Sequence, residues 1–215
     1  MSKITAELGL QVIDLKGRVV SEVKQPSRSF VSQFTEILYN IMTHNAPTVA
    51  DIGNTGRILS GGNQQDALLM ASCGGDSPLY IRARRPVDNQ ADEPDYLGDL
   101  FGIQVGTGAV AVDANDYVMG TRVAHGQVAT QLLYGGSEVE RPVVANPNAS
   151  ILLRRYFTNK SGGTITINEV GIYTPAFSGL AVGHIFLICR DVLGAGVAVA
   201  DDALLRVQYT VQVTV

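Results

Sequence analysis

The glycine-rich run at residues 106–111 is the first stretch whose spacing could do chemistry. Gly106 and Gly108 match the spacing of a dinucleotide-binding loop and follow a strand-like run. Such a loop needs a helix to open after the glycines, because the free amides at the helix start hold the pyrophosphate. Here residues 110–116 read Val-Ala-Val-Asp-Ala-Asn-Asp, which is typical of a strand followed by a turn. The sequence therefore favours a tight turn or bulge at these glycines, and we expect no cofactor.

Asp113, Asn115 and Asp116 carry oxygen ligands at a spacing that suits a calcium loop. No glutamate completes an EF-hand, however, and Asp/Asn clusters are ordinary turn formers. The three histidines are scattered through the chain, at His44, His125 and His184. None has a second His, Cys or Glu at metal-ligand spacing. We therefore expect a structural turn at residues 113–116 and no metal site.

No nucleophile motif stands out. Ser-His-Asp triads assemble from distant positions, so a count of residues does not test for one, but no serine lies in a G-x-S-x-G elbow. The basic cluster of the chain consists of Arg82, Arg84 and Arg85. A phosphate patch is one interpretation of it, and an exposed loop that pairs with acidic residues of a neighbour is the favoured one. We expect no catalytic residues and no enzymatic activity.

Glu169 interrupts a strand-like alternation. Apolar residues alternate through Ile165 and Ile167 and then restart out of phase at Val170. A β-bulge at residues 168–169 would reset the register. We expect Glu169 to form a structural ion pair across a hairpin with one of two arginines, Arg154 or Arg155.

The two cysteines, Cys73 and Cys189, are far apart in the sequence. Cys189 lies in an apolar stretch and is interpreted as a small buried hydrophobe. Cys73 precedes two glycines and is interpreted as a free loop thiol. A disulfide between them is disfavoured, since chains made in a reducing cytosol rarely form one.

The elements that position these residues are mostly strands, and the clearest lie in the C-terminal third. Residues 151–157 and 164–173 are rich in β-branched and aromatic residues, and the turn-forming residues 158–163 between them predict an antiparallel hairpin. Residues 184–189 are nearly all apolar, as in a strand covered on both faces. Residues 205–215 alternate apolar and polar with period two, which predicts a half-buried strand.

The N-terminal part predicts a hairpin and then a helix. Residues 8–12 and 18–23 form the hairpin, and Gln25-Pro-Ser27 is expected to break it. From Ser29 to Met42, apolar residues at three- and four-residue steps predict an amphipathic helix. Shorter strands are predicted in the middle of the chain, at residues 103–105, 109–112, 123–125 and 128–134.

Composition sets the broad class. The chain has 215 residues, 17% of them charged, 23 glycines and a net charge of −4. The acidic balance disfavours a nucleic-acid partner, and no apolar run predicts a signal peptide or a membrane span. We predict one β-rich domain over residues 1–215: hairpin plus helix (1–48), a loop-rich excursion (49–99) and an antiparallel sheet core (100–215). The predicted fold is a β-sandwich or jelly-roll-like arrangement with one helix and long Gly/Pro-rich loops.

Several stretches resemble virion structural proteins of tailed bacteriophages. They are Val105-Gly-Thr-Gly108, the turn at residues 113–120, the segment Arg155-Tyr-Phe-Thr-Asn-Lys-Ser-Gly-Gly-Thr-Ile-Thr-Ile-Asn-Glu-Val-Gly-Ile-Tyr173, Arg190-Asp-Val192 and the final alternating strand. The opening hairpin, Arg28-Ser-Phe-Val31 and the predicted helix resemble them too, whereas residues 61–96 do not. The resemblance implies a non-enzymatic, β-rich assembly protein that is made in the bacterial cytoplasm. It also implies that each virion contains many copies of the protein.

The resemblance leaves the part of the particle open. The leading interpretation is a tail or appendage component that binds copies of itself and other virion proteins. A capsid decoration protein is a variant of it. The alternative is a β-sandwich module that binds a host surface glycan, although the chain has no Trp to form a sugar-stacking platform.

Overall fold

The computed structural model describes residues 3–27, 29–32, 34–35, 102–178 and 182–214. Within them the chain is mainly antiparallel β, as predicted, with nine strands in two sheets. The larger sheet has the order β2 (Val19–Ser27), β1 (Lys3–Ile13), β9 (Leu204–Thr214), β6 (Asn148–Asn159) and β4 (Leu132–Val139), and β5 (Val143–Ala145) also pairs with β6. The smaller sheet has the order β3 (Gly102–Gly106), β7 (Ile165–Ser178) and β8 (Val182–Val199).

The N-terminal hairpin is formed as predicted, with β1 and β2 antiparallel. At its turn, Oδ1 of Asp14 accepts hydrogen bonds from the backbone amides of Lys16 (2.8 Å) and Arg18 (2.9 Å). The predicted break at residues 25–27 is wrong, because Pro26 lies within β2 and keeps its register with β1. β2 is an edge strand, and an edge strand tolerates proline because one of its sides needs no donor.

The C-terminal strand β9 is confirmed, and it lies inside the larger sheet between β1 and β6. Leu205, Val207 and Tyr209 on its apolar face are buried. Further along the same face, Val211 is half-buried and Val213 is 38% exposed. The apolar face of β9 therefore runs from the core out to the surface.

The hairpin predicted between residues 151–157 and 164–173 is wrong. β6 pairs with β9 and β4 in the larger sheet, whereas β7 pairs with β3 and β8 in the smaller one. The connection between β6 and β7 crosses from sheet to sheet, and the Asn159 side-chain amide holds it by donating to the carbonyls of Gly163 (2.7 Å) and Val199 (2.8 Å). Turn-forming residues suit such a crossing as well as a hairpin, so composition does not separate the two.

The short strands predicted in the middle of the chain are partly formed. Residues 103–105 lie in β3, as predicted. Residues 109–112 form no strand, and residues 123–125 contribute only an isolated bridge between His125 and Leu132, the first residue of β4. The segment between β3 and β4 is instead held against the smaller sheet by buried side chains, described below.

The helix predicted from Ser29 to Met42 is not supported. At its start, Phe30 forms an antiparallel bridge with Cys189 of β8, and Val31 donates its amide to the Ile188 carbonyl (3.2 Å). An open strand edge offers backbone partners that compete with helix formation. Helical conformation is described only at residues 32, 34 and 35.

The rest of the predicted helix, residues 36–42, lies outside the described residues, as does the loop-rich excursion predicted at residues 49–99. In the part of the chain that the structure describes, no helix has the length and apolar character to cross a bilayer.

One hydrophobic core lies between the two sheets. The larger sheet contributes residues such as Leu8 and Phe157, and the smaller sheet contributes residues such as Ile167. The strand predicted at residues 184–189 is part of β8. Residues 185–189 are all buried, as expected of a strand covered on both faces.

Candidate functional site

Glu169 is a buried charged residue that connects the smaller sheet to the segment at residues 106–121, which follows β3. Its side chain is fully buried. It lies on β7 where the register with β8 shifts between Ile167 and Glu169, so the predicted bulge is confirmed. The bulge directs Glu169 towards the segment at residues 106–121.

Both carboxylate oxygens of Glu169 accept hydrogen bonds. Oε1 accepts from the backbone amides of Gly108 (3.1 Å) and Thr121 (2.7 Å). Oε2 accepts from the backbone amide of Gly120 (3.0 Å) and from Nε of Arg190 (2.8 Å). Four donors around one carboxylate offset the cost of burying its charge.

Arg190 extends this network to a second carboxylate. Its Nη1 lies 2.7 Å from Oδ2 of Asp116, and its Nη2 donates to the Val110 carbonyl (3.0 Å). Burial opposes the charge of the guanidinium, but hydrogen bonds to Asp116 and Glu169 outweigh it and raise the pKa of Arg190. We call Glu169, Arg190 and Asp116 the carboxylate clamp, because together they fasten residues 106–121 to the smaller sheet.

The glycines that match a dinucleotide loop are explained by this clamp. A Cβ at Gly106 would lie 2.6 Å from Oε1 of Glu169, and a Cβ at Gly108 would collide with the same oxygen. At Gly120 a Cβ would lie 3.3 Å from Nη2 of Arg190. The glycines therefore let the backbone approach a carboxylate of the same chain. Gly106 ends β3, and residues 107–112 form neither the tight turn nor the bulge that the sequence predicted there.

The partner predicted for Glu169 is wrong, because β6 and β7 lie in different sheets. Arg154 forms ion pairs with Glu138 (2.7 Å) and Glu140 (2.9 Å), both of which are largely exposed. The hydrogen bonds to Glu138 are the main cause that raises the pKa of Arg154, and the charge of Glu140 adds to it.

Arg155 is fully buried within the core. Its guanidinium lies 4.8 Å from the ring centroid of Tyr134, a cation–π distance. Nε donates to the Gly135 carbonyl (2.8 Å) and Nη1 to the Ile103 carbonyl (3.0 Å). Arg155 thus links β6 to β4 in its own sheet and to β3 in the other sheet.

A second buried polar cluster, which the sequence analysis missed, surrounds Asp191 of β8. Its Oδ2 accepts hydrogen bonds from the hydroxyls of Ser27 (2.7 Å) and Tyr209 (3.0 Å) and from the thiol of Cys189 (3.4 Å). Ser27 and Tyr209 belong to β2 and β9, so this cluster also ties the larger sheet to the smaller. One signal was available: two adjacent charged residues, Arg190 and Asp191, interrupt an apolar strand, and buried charges need partners.

Burial is the main cause that raises the pKa values of the Cys189 thiol and the Tyr209 hydroxyl, and the nearby Asp191 carboxylate adds to it. Both groups therefore stay protonated and act as donors. Cys189 is a buried free thiol, as predicted, but it also donates a hydrogen bond. Burial likewise raises the pKa of Tyr173, whose hydroxyl accepts from the Met119 amide (2.8 Å).

The remaining candidates have structural partners where they are described. Oδ1 of Asp113 accepts from the Asn115 amide (2.8 Å), and Oδ2 of Asp116 accepts from the Asp113 amide (2.9 Å), which makes the predicted turn. Nδ1 of His125 accepts from the Tyr134 amide (3.0 Å). Among the described residues, no group of three or more His, Cys, Asp or Glu is arranged to hold a metal ion.

His184 lies on β8. The residues that lie outside the described part of the chain are His44, Cys73, Arg82, Arg84 and Arg85.

The clamp and the Asp191 cluster each hold separate segments of the chain together. Each places a buried carboxylate against donors from separate segments of the chain. Comparisons with protein-family models, with curated proteins and with solved structures find no match.

Proposed function

We propose that this chain is a non-enzymatic structural component of a tailed bacteriophage particle, in its tail or an appendage, and that it acts by subunit–subunit assembly. The observation that carries the proposal is the carboxylate clamp. Both oxygens of Glu169 bind donors, three of them backbone amides, so the most deeply buried charge of the network serves to hold a loop in place. A rigid loop on a rigid sheet is what a repeated assembly contact needs.

The sequence resemblance supports the virion part of the proposal. The phage-like stretches include Gly106, Gly108, the turn at residues 113–120, Glu169 and Arg190. They therefore contain all three residues of the clamp, Glu169, Arg190 and Asp116, together with Gly108 and Gly120, whose amides donate to Glu169. The resemblance therefore covers a connected three-dimensional unit as well as a series of short stretches.

We also propose that the fold is a β-sandwich of the jelly-roll-like kind. Two antiparallel sheets contribute to one core, and the β6–β7 and β8–β9 connections each cross from one sheet to the other. Such crossings are typical of sandwiches in which each sheet alternates inward apolar and outward polar residues.

The experiment is to remove the chain from the particle. A nonsense mutation at an early codon of its gene, grown with and without a suppressor host, gives particles that contain or lack it. We expect quantitative mass spectrometry of purified particles to find many copies per virion with suppression, and incomplete or non-infectious particles without it. Intact, infectious particles that do not contain the chain would refute the proposal.

A glycan-binding module remains the second candidate, because one feature of the larger sheet favours it. The outer face of β6 and β9 carries amides and hydroxyls, with Gln212 and Thr214 both donating to Oδ1 of Asn148 (3.1 and 2.8 Å). Such a row of amide and hydroxyl groups can form hydrogen bonds with the hydroxyls of a sugar. Saturable binding of host-surface polysaccharide that is lost in Gln212→Ala would favour this candidate over assembly.

A further inference from the structure

A groove lies between β8, the end of β2 and the segment at residues 106–121 that the clamp holds. Its volume is about 710 Å³, a size typical of small-molecule sites. One wall is fixed by the clamp, because Nη2 of Arg190 donates to the Val110 carbonyl (3.0 Å). The apolar residues that line the groove are Pro26, Ala109, Ala111, Val112, Val192 and Leu193.

Asp191 lines this groove with its side chain. The backbone amide of Arg190 donates to the Ser29 carbonyl (3.1 Å), away from β7. Backbone groups point to alternate sides along an antiparallel strand, so those of Asp191 point towards its partner Val170 on β7. The part of Asp191 at the groove is therefore its carboxylate, although the residue is only 2% exposed.

The two oxygens of this carboxylate differ in their partners. Oδ2 accepts the hydrogen bonds from Ser27, Cys189 and Tyr209, whereas Oδ1 accepts none from the described residues. In that part of the chain, Oγ of Ser137 is the one side-chain polar atom that is both sealed from solvent and without a partner. Oδ1 is therefore not sealed, and the surface that it reaches is the groove.

No cationic side chain of the described residues forms an ion pair with Asp191. Arg190, its neighbour in the chain, points to the opposite face of β8 and pairs with Glu169 and Asp116. A buried carboxylate whose donors are all neutral lacks a compensating positive charge, and that arrangement is costly. A charge-assisted hydrogen bond from a cation to Oδ1 would offset this cost.

We propose that the groove binds a cationic ligand, an ammonium or guanidinium group carried on a short aliphatic chain. The cation donates to Oδ1 of Asp191, and the aliphatic chain lies along the apolar walls. Gln25 supplies a second acceptor, since its Nε2 donates to the Val192 carbonyl (3.2 Å) and its side-chain oxygen remains at the groove. The inference goes beyond the proposed assembly function and does not depend on it.

The test is a titration of the full-length chain with n-butylammonium chloride, followed by NMR and by calorimetry. Sodium chloride at the same ionic strength controls for a general salt effect. The neutral alcohol 1-butanol controls for binding of the aliphatic chain alone. We expect saturable binding of n-butylammonium, with shifts of the Val192 and Gly194 amides at the groove, and no saturable binding of 1-butanol.

Asp191→Asn keeps an oxygen that can accept from the three donors but removes the charge. It should weaken n-butylammonium binding about tenfold or more, the equivalent of one hydrogen bond to a charged group. The matched control is Glu7→Gln, which removes the same charge from an exposed position on β1 and should leave binding unchanged.

A second variant tests the groove if Asp191→Asn does not fold. Ala111 is an exposed residue of the groove wall, so Ala111→Phe should fold and block binding. Its control is Val110→Phe, at a neighbouring residue that is 73% exposed and outside the groove lining.

The inference is overturned by an absence of saturable binding, by equal binding of 1-butanol, or by equal losses in Asp191→Asn and Glu7→Gln. Undiminished binding in Ala111→Phe would also overturn it. Two sources can carry the cation, and sedimentation distinguishes them. If a lysine or arginine of a second copy carries it, n-butylammonium should lower the self-association of the chain. If a free amine carries it, self-association should not change, and the site stands in both cases.

Discussion

At the scale of single residues, the structure depends on charges placed inside a β protein. Glu169, Arg190, Asp191 and Arg155 are all buried, and each binds groups from segments distant in sequence. A buried pair is weak evidence of net stabilisation, but removing one member leaves the other uncompensated. These residues therefore specify which segments meet, and their removal is costly.

Replacing Glu169 with Gln should lower the free energy of unfolding by about 3–5 kcal/mol, since Arg190 loses the more deeply buried of the two carboxylates that compensate its charge. The matched control is Glu138→Gln, which removes an exposed partner of Arg154 and should cost at most about 1 kcal/mol. Urea unfolding of both variants measures the difference. Equal losses in the two variants would contradict the assignment of Glu169 as the centre of the clamp.

Gly108→Ala should also destabilise the fold, because the added Cβ collides with the Glu169 carboxylate. Gly163→Ala is the control, since nothing lies within 4 Å of a Cβ at that position. We expect a clearly lower melting temperature for the first variant and a nearly unchanged one for the second. A Gly108→Ala variant as stable as the parent would show that the glycine is not required by the clamp.

Alkaline pH should destabilise the protein through Tyr209. Its folded pKa is raised by burial, so the folded state holds this proton more tightly than the unfolded chain, whose value is near 10.0. The stability it contributes is present below that pH and is lost as the pH rises above it. Melting temperatures between pH 8 and 11 should fall less steeply for Tyr209→Phe than for the parent. Identical slopes would contradict this account.

At the scale of elements, β9 is the strand on which the larger sheet depends. It pairs with β1 along one edge and with β6 along the other, so its loss separates the N-terminal hairpin from the rest of the sheet. It also removes buried Leu205, Val207 and Tyr209, each worth roughly 1.5–3 kcal/mol.

A chain that stops after Asp202 should therefore be insoluble or unfolded. A chain that stops after Thr214 is the control and should fold normally, because β9 is complete. Solubility and circular dichroism of the two chains provide the measurement. Soluble, folded protein from the shorter chain would mean that β9 is dispensable.

The sequence predicted elements better than it predicted their partners. The alternation in β9 and the bulge at Glu169 are local patterns, and both were confirmed. The partner of β6 was wrong because residues 158–163 suit a turn within a sheet and a crossing between sheets equally well. Asp191 was missed because its donors come from β2 and β9, and no local spacing brings Ser27 and Tyr209 together.

At the scale of the whole molecule, the described residues form two sheets with a core between them, and the apolar face of β9 continues past that core. The clamp fixes residues 106–121 on one sheet, while Ile4 and Val213 are exposed at one end of the other. The proposed assembly role calls for both features: surfaces that do not change shape, and apolar area that the single chain leaves exposed.

Sedimentation equilibrium of the purified full-length chain tests the central claim of self-assembly most directly. One chain has a mass of 22.9 kDa. We predict a concentration-dependent mass of at least twice that value at micromolar concentration. A stable monomer over the whole concentration range would contradict self-assembly and favour the glycan-binding module.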